Sequence, residues 1–386
     1  MIKVANIIHD EKFIDGIIEV QDLTKDKCCH DYIHVNNNPS VEFKLIKYVN
    51  RIKIVKPEEF HAFLKEGSYD AVFLHSLFTM PIELIPKIDR KIKVFWFGWG
   101  YDMYTQPSLK PAIRIPLNHE KTIEVMANHI SQEKQGKTLY QRINGRRHRM
   151  IDRHHYEMAV RRVDYFSGVL PVEYDMIKNN WYFKAKKVVY CYISLKTMDK
   201  YDNPLPYVEG RNILVGNSAD ANNNHLDVLP YLEKLDLSSR KVYVPLSYAG
   251  QPYYIDAVVD GYKKALGEKA ILLMDFLPID EYRSIVGSCG IAIFFHERQQ
   301  AMGNVEMSLW NGCKVFLSET SVAYRYLKGK GFNVYTIQQD LNQEELDKPL
   351  TNVQRDENRK ILYSIKCRKQ ILANLDNIYG EIYRVR

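Results

Sequence analysis

Residues 290–317 constrain the fold of this chain more than any other stretch. They predict a strand at 291–295 buried on both faces, a polar turn, a helix starting near Asn304, and a second strand at 315–317. Gly303 lets the backbone approach a ligand, and the free N–H groups and positive dipole end of the helix favour an anion in the turn. An ordinary βα turn with a solvated polar tip is the alternative.

The length and charge of the chain limit its class. With 386 residues, the chain is longer than the chains that usually fold around one hydrophobic core, and this length predicts two domains. Hydrophobic residues make up 46% and charged residues 26%, as in an ordinary globular protein. The net charge of +7 favours an anionic partner, such as a nucleotide sugar, a phospholipid surface or nucleic acid. Without an RRM, KH or helix-turn-helix signature, we expect no nucleic acid.

The cysteines and the apolar runs indicate a cytoplasmic protein. The six cysteines show no CxxC spacing, and Cys289 and Cys313 fall at the edges of apolar strands, as reduced core residues do. The first eight residues, MIKVANII, resemble a strand rather than a signal peptide. Because no apolar run approaches the roughly 20 residues that cross a bilayer, any membrane association is expected to be peripheral.

Apolar runs alternate with helical patterns through the first half of the chain. This alternation predicts a parallel sheet, in which ligands bind beyond the carboxyl ends of the strands. The predicted strands are 4–8, 32–35, 52–55, 71–77 and 92–97, and the predicted helices between them are 13–23, 57–66 and 81–89.

The loop GWGYDMY, residues 98–104, follows the last of these strands. Asp102 is a candidate to meet a substrate hydroxyl, and Trp99 and Tyr101 offer faces for a sugar ring. The alternative is a structural turn in which Asp102 caps the next helix. His9 and His75 end two other strands, where a structural role is the more common one.

Residues 105–163 interrupt the alternation with a long basic segment. Helices are predicted at 119–133 and 138–162, and the second carries seven Arg and three His beside an apolar stripe. Such a helix can lie on an anionic leaflet, pack on its own domain as a solvated helix, or contact the phosphates of a substrate.

Two further strands are predicted at 163–169 and 187–193, and the second half of the chain begins after a proline-containing linker, 201–210. Strands and helices alternate again, with a first strand at 212–215 and a helix at 253–266, and one long helix is predicted from Arg355 to the end. Three loops that follow strands, 216–225, 247–252 and 296–304, carry small and amide residues and together predict a donor pocket. In the first, GNSADANNNH, His225 is expected to add a charge-assisted hydrogen bond. Asn-rich turns without a ligand are the alternative.

Four motifs carry a resemblance to a known family. GNSADANNNH, VPLSYAGQPYYIDAV, FHERQQAMGN and FGWGYDMY resemble bacterial TDP-4-acetamido-4,6-dideoxygalactose (TDP-Fuc4NAc) transferases, also labelled 4-alpha-L-fucosyltransferases. The chain departs from the family pattern at Ala219 and Ala301, where glycine is expected, and at Lys314, where proline is expected. Glu306 is offset from the position of the glutamate that binds ribose in many GT-B enzymes.

The resemblance implies an α/β fold of the GT-B type. Two Rossmann-like domains would face each other across a cleft, and the C-terminal helix would return to the N-terminal domain. The expected domains are 1–205 on the acceptor side, with the basic insertion 105–163, then 206–354 for the nucleotide sugar, and 355–386 as the crossover helix.

The resemblance also implies the reaction and its residues. An acceptor hydroxyl would attack the anomeric carbon of the donor. Asp102 would be the base if configuration inverts, or would only bind the acceptor if configuration is retained, and neither metal nor cofactor is expected. The expected acceptor-binding residues are His9, Trp99 and Tyr101. The expected donor-binding residues are Gly216, Asn217, Ser218, His225, Ser247, Tyr248, Arg298, Gln299, Gln300, Gly303 and Asn304.

The expected donor is a nucleotide diphosphate sugar, with TDP favoured and fucose or Fuc4NAc as the sugar. The expected acceptor is a lipid-linked or polysaccharide glycan of the cell envelope. Such an acceptor places the enzyme on the inner face of the plasma membrane, bound peripherally to an anionic surface. Two alternatives remain, a GT-B-type sugar-nucleotide epimerase and a non-catalytic protein that binds nucleotide sugars.

Overall fold

The computed structural model describes residues 1–113, 115–134 and 139–384, which form two compact units. Unit 1 comprises residues 1–114, 140–203 and 365–386, and unit 2 comprises 115–139 and 204–364. This division differs from the expected domains in two places. Residues 115–139 belong to unit 2 rather than to the first domain, and the C-terminal segment is shared, with residues up to 364 in unit 2 and the remainder in unit 1.

The strands are short and are spread along the whole chain. They are β1 (Ile2–Ile7), β2 (Cys28–Val35), β3 (Ile52–Val55), β4 (Ala71–His75), β5 (Lys93–Phe97), β6 (Tyr165–Ser167), β7 (Lys186–Lys187), β8 (Asn212–Val215), β9 (Val242–Pro245), β10 (Ala270–Leu273), β11 (Cys289–Phe294), β12 (Lys314–Leu317) and β13 (Tyr335–Thr336).

The α-helices connect the strands and close the chain. They are α1 (Ile14–Asp22), α2 (Phe60–Glu66), α3 (Tyr101–Tyr104), α4 (Lys110–Ile113), α5 (Glu120–Lys134), α6 (Leu139–Arg162), α7 (Val172–Ile177), α8 (Leu195–Asp202), α9 (His225–Leu232), α10 (Pro252–Leu266), α11 (Ile279–Gly287), α12 (Met302–Asn311), α13 (Val322–Gly329), α14 (Ile337–Asp340), α15 (Gln343–Asp347), α16 (Asn352–Lys366) and α17 (Arg368–Tyr383).

The sheet of unit 1 is parallel, with strand order β3-β2-β1-β4-β5-β6-β7. Its central strands are buried because helices cover both faces of such a sheet; every residue of β4 is buried. Helix α17 contributes Ile371, Leu375, Ile378 and Ile382 to the same core cluster as Phe73 and Phe95. The predicted return of the C-terminal helix to the first domain is therefore confirmed.

Two predicted elements of unit 1 differ in the structure. Residues 81–89 were expected to form an α-helix, but Ile82–Lys87 form a 3-10 helix that contains Pro86, which lacks an N–H for an α-helical hydrogen bond. The strand expected at 187–193 is limited to β7. Beyond it, Tyr190 is buried and stacks on Phe97 with ring centroids 4.0 Å apart, so apolar character here reflects side-chain packing without strand pairing.

The sheet of unit 2 is also parallel, with strand order β10-β9-β8-β11-β12-β13. The order reverses between β8 and β11, which is where a sheet of this kind opens a crevice at its carboxyl edge. The loops after β9, β8 and β11 consequently share one edge.

Helix α5 packs on α9 and α10 of unit 2. The Asp227 carboxylate of α9 accepts hydrogen bonds from the backbone N–H groups of Lys121 and Thr122, at 2.8 and 3.1 Å, and so binds the free donors of the first turn of α5. Farther along α5, His129 stacks on Tyr253 with ring centroids 3.9 Å apart. These contacts explain why a segment encoded among the elements of unit 1 belongs to unit 2.

The C-terminal segment is two helices, which corrects the prediction of one long helix from Arg355. Cys367, between α16 and α17, has an extended backbone with φ −63° and ψ 155°. The sequence around it, SIKCRKQ, contains neither glycine nor proline, so the apolar periodicity of the segment gave no sign of the break.

Candidate active site

Hydrogen bonds join the three predicted donor loops of unit 2. Asn217 Nδ2 donates to the Tyr248 hydroxyl at 2.9 Å, which links the loops after β8 and β9. His296 Nε2 and Asn223 Oδ1 lie 2.7 Å apart, which links the loops after β8 and β11. The structure therefore brings together residues 73 positions apart in the chain by placing their loops on adjacent strands.

Gly216, directly after β8, has a positive φ of +71°. A Cβ atom at this position would lie 2.7 Å from His225 Nε2 and 2.8 Å from Asn223 Oδ1. The same Asn223 oxygen accepts a hydrogen bond from the Asn217 N–H at 3.0 Å, and Asn223 Nδ2 donates to Ser218 Oγ at 3.3 Å. The loop thus wraps tightly around the Asn223 side chain, and only glycine fits at its start.

The two histidines of these loops are neutral. Burial lowers the pKa of His225 to about 3, and burial followed by the nearby Arg298 lowers the pKa of His296 well below its usual value. This low pKa disfavours the charge-assisted hydrogen bond expected from His225, because a neutral imidazole donates without a formal charge. Its Nε2 atom is buried and has no hydrogen-bond partner among the described residues.

The turn before α12 is open to a ligand at its tip. The helix begins at Met302, two residues before the predicted start, and its N-cap residue Ala301 has a left-handed backbone with φ +55°. This conformation is the physical reason why glycine is expected at that position. Gly303 is exposed with open space on its Cβ side, and Asn304 is half-buried in the same first turn, whose leading N–H groups face outward from the helix end.

The polar side chains of this turn are mostly buried. Arg298 is close to Asp220, with guanidinium and carboxylate atoms 3.6 Å apart. Gln299 and Gln300 are 3% and 9% exposed, and among the described residues neither Oε1 atom has a hydrogen-bond partner. In the loop after β9, Ser247 is half-buried. Arg298, Gln299 and Gln300 thus place polar side chains directly before the first turn of α12.

In unit 1, Asp102 is fully buried and both of its carboxylate oxygens are occupied. Oδ2 accepts hydrogen bonds from Trp96 Nε1 at 2.7 Å and from the Leu77 N–H at 3.1 Å. Oδ1 accepts from the N–H groups of Trp99 and Gly100, at 3.0 and 3.1 Å. Asp102 lies within α3, whose N-cap is Gly100 without a side-chain cap, so it does not cap the helix as the alternative expected; instead it holds the loop together. Burial raises its pKa.

The other predicted residues of unit 1 lie together at the same edge. Tyr101 stacks on Phe78 with ring centroids 6.0 Å apart, and Trp99 meets Tyr101 edge to face at 6.5 Å. His9 Nε2 hydrogen-bonds the Phe78 carbonyl. His75 is buried in contact with Tyr192 and Asn6, and burial lowers its pKa to about 3, as for a structural core histidine.

The family model described as 4-alpha-L-fucosyltransferase, glycosyl transferase group 56, matches residues 124–373. This chain belongs to that family. The match covers about two thirds of the group 56 enzyme and includes the three loops of unit 2, whereas the Asp102 loop lies outside it. The protein is therefore a glycosyltransferase, as the resemblance implied.

Solved structures of other glycosyltransferases share the fold over almost the whole chain. A glycosyltransferase from Rickettsia africae ESF-5 is 13% identical, with TM-score 0.58 and coverage of 99% of this chain and 98% of that one. Sucrose-phosphate synthase from Thermosynechococcus elongatus is 10% identical, with TM-score 0.63 and full coverage of both chains. Anabaena HepE in complex with UDP-glucose is 9% identical, with TM-score 0.60 and coverage of 98% and 100%. These similarities confirm the GT-B fold of the group 56 enzyme.

A polar cluster beside the turn of α12 in the group 56 enzyme was not predicted from the sequence. Glu297 is 1% exposed; its Oε1 accepts hydrogen bonds from His119 Nε2 at 2.7 Å and from Ser318, and its Oε2 accepts from Thr320 Oγ1 at 2.8 Å. No spacing in the sequence connects His119 with a residue 178 positions later. Only the packing of α5 on unit 2 brings them together.

Proposed function

We propose that this group 56 enzyme transfers a deoxy(amino)sugar, such as Fuc4NAc or fucose, from a nucleotide diphosphate donor to a hydroxyl of a lipid-linked or polysaccharide glycan. TDP is the favoured nucleotide, on the resemblance of the four sequence motifs. The observation that carries the proposal is the meeting of three small, amide-rich loops at the carboxyl edge of the unit 2 sheet. One protein with this fold, Anabaena HepE, has been solved in complex with UDP-glucose.

The leaving diphosphate needs positive charge and hydrogen-bond donors. In this proposal, Arg298 and the first N–H groups of α12 supply both, and the side-chain amides of Gln299 and Gln300 add donors. Because these groups can compensate the charge of the diphosphate, we propose that donor binding requires no metal.

A thermal-shift panel of TDP, UDP, GDP and CMP sugars, each with and without EDTA, tests the donor site. We expect a TDP or UDP sugar to raise the melting temperature, and EDTA to leave that shift unchanged. A shift abolished by EDTA would contradict the metal-free site, and no shift with any nucleotide would contradict the donor site itself. Analysis of the reaction products then distinguishes glycan transfer from sugar epimerisation.

The acceptor is proposed to bind unit 1 at the edge formed by His9, Trp99 and Tyr101. Trp99 is half-buried and Tyr101 is 37% exposed, which leaves aromatic surface for a sugar ring. Asp102 is proposed to shape this edge rather than to accept a proton, because both of its oxygens are already bonded. His9, half-buried at the end of β1, is then the next candidate for the base.

Contact with an anionic membrane is proposed to occur through the basic helix α6. No helix in the described part of the chain is long and apolar enough to cross a bilayer. The side chains of Arg146, Arg147 and Arg149, the centre of the basic segment, lie outside the described residues. Within the described part, Arg161 of α6 lies over the ring of Trp181, which is 63% exposed, with the guanidinium carbon 4.3 Å from the ring centroid.

A further inference from the structure

The polar cluster of His119, Glu297, Ser318 and Thr320 lies next to the turn before α12 and takes no part in the transfer proposed above. His119 is at the start of α5, half-buried, and its ring stacks on Phe295 with centroids 4.2 Å apart. Its backbone N–H donates to Asn224 Oδ1 at 2.9 Å, and Asn224 Nδ2 donates to the Phe295 carbonyl at 2.8 Å. His119 is therefore fixed where the loops after β8 and β11 meet, at the reversal point of the strand order.

Glu297 holds the ring of His119 through its Nε2 atom. The carboxylate is almost completely buried, and a buried carboxylate is stabilised by a cationic partner as well as by hydrogen bonds. Ser318 and Thr320 supply neutral donors, and His119 Nε2, at 2.7 Å, is the partner that can become a cation. The contact on Nε2 leaves Nδ1 available, because no described residue accepts a hydrogen bond from it.

The two other histidines in these loops, His225 and His296, are not available as cationic donors. His225 and His296 are fully enclosed and held neutral by burial, so neither can act on an anion by charge. The side chain of His119 is 26% exposed. It contacts Glu297, which directly precedes Arg298 in the turn before α12. A cation at this position would add to the charge of Arg298 on the same ligand.

We propose that, in the complex with the nucleotide sugar, the His119 ring bridges Glu297 through Nε2 and the diphosphate through Nδ1, and donates a hydrogen bond to both. Glu297 is then a positioning residue that acts through His119. This inference rests on the proposed function, since it names a further contact of the same donor site. No bond is made or broken in this step; the cation compensates charge on the bound diphosphate, including the charge that develops when the sugar leaves.

The test compares nucleotide binding to the parent enzyme and to His119→Gln by calorimetry, with TDP, UDP and the corresponding nucleosides as probes. A charge-assisted hydrogen bond predicts that His119→Gln weakens TDP or UDP binding about 10- to 100-fold and leaves the weak binding of the nucleosides unchanged. His119→Lys, which keeps a cation, should recover part of the loss. His129→Gln in the same helix is the matched control, because His129 stacks on Tyr253, and we expect it to bind like the parent.

Glu297→Gln provides a second and independent arm. If Glu297 acts through His119, this change weakens TDP binding in the parent but adds no further loss to His119→Gln. Unchanged TDP affinity in His119→Gln, or equal losses for TDP and thymidine, would overturn the inference while leaving the donor site in place. If the parent enzyme binds none of the nucleotides, both the proposed function and the proposed contact of His119 are overturned. Circular dichroism confirms that each variant is folded.

Discussion

At the scale of single residues, Asp102 shows how surroundings decide the role of a carboxylate. In the sequence it lies between aromatic residues and after a strand, which is the usual place for a catalytic group. In the structure it accepts four hydrogen bonds from Trp96, Leu77, Trp99 and Gly100 and has no exposed surface. The carboxylate therefore ties the ends of β4 and β5 together.

We predict that Asp102→Asn lowers the stability of the enzyme. The amide replaces one acceptor oxygen by an NH2 group that faces N–H donors, and hydrogen bonds to a charged group are worth about 1.5–3 kcal/mol each. The expected loss is about 2–3 kcal/mol in the free energy of unfolding, measured by denaturant titration of the variant and the parent.

Asp10→Asn is the matched control for this change. Its carboxylate also accepts three backbone N–H groups, from Lys44, Leu45 and Ile46, but near solvent, where water can replace a lost bond. We expect its effect to stay below about 1 kcal/mol. An Asp102→Asn variant with parental stability and a turnover lower by several orders of magnitude would instead return Asp102 to the role of base.

At the scale of elements, the parallel sheets and the loops at their carboxyl edges could be predicted because apolar runs mark strands directly. β3 and β8 have the predicted bounds, and α10 begins one residue from its predicted start, at a proline in the first helical position. The break at Cys367 and the packing of α5 could not be predicted. The break at Cys367 leaves the apolar periodicity of the segment intact. The packing of α5 depends on tertiary contacts, such as the hydrogen bond from the Thr122 N–H to Asp227.

The surface around α6 gives a prediction at the same scale. Trp181 and Arg161 form an exposed aromatic and basic pair, which suits the interfacial region of an anionic bilayer. We predict that Trp181→Ala combined with Arg161→Ser weakens co-sedimentation with vesicles containing anionic lipid, since a basic residue near such a surface contributes about 1 kcal/mol, or about fivefold in binding.

Phe276→Ala is the control for the vesicle experiment, because Phe276 is 82% exposed but belongs to unit 2. It should leave vesicle binding unchanged. Vesicle binding that survives the double change, or that is absent in the parent at moderate salt, would show that this face is an ordinary solvated surface. The acceptor would then be a glycan in solution.

At the scale of the whole molecule, buried neutral histidines in both units link stability to pH. Burial lowers the pKa of His30, His75 and His225 to about 3, and that of His296 well below its usual value. The unfolded chain, with histidine pKa values near 6.5, binds more protons than the folded chain between about pH 3 and 6.5. Stability therefore falls as the pH falls through this window.

We predict that the free energy of unfolding decreases by up to about 1.4 kcal/mol per pH unit for each of these histidines below about pH 6.5. Denaturant titrations at pH 7, 6 and 5 measure this slope. His75→Asn should reduce the slope by the share of one histidine, whereas His154→Asn, at an exposed position of α6, should not change it. A stability that stays constant from pH 7 to pH 5 would contradict the assignment of neutral buried rings.

The placement of α5 also bears on recombination between related genes. A single crossover in the linker near residue 204 would join β8–β13 and their helices from one parent to α5 from the other, since α5 is encoded upstream of that point but packs in unit 2. The Asp227 carboxylate of one parent would then have to bind the first turn of α5 from the other parent. In the same way, His119 and Glu297 would come from different parents. A chimera that exchanges unit 2 intact has to carry two inserts, residues 115–139 and 204–364.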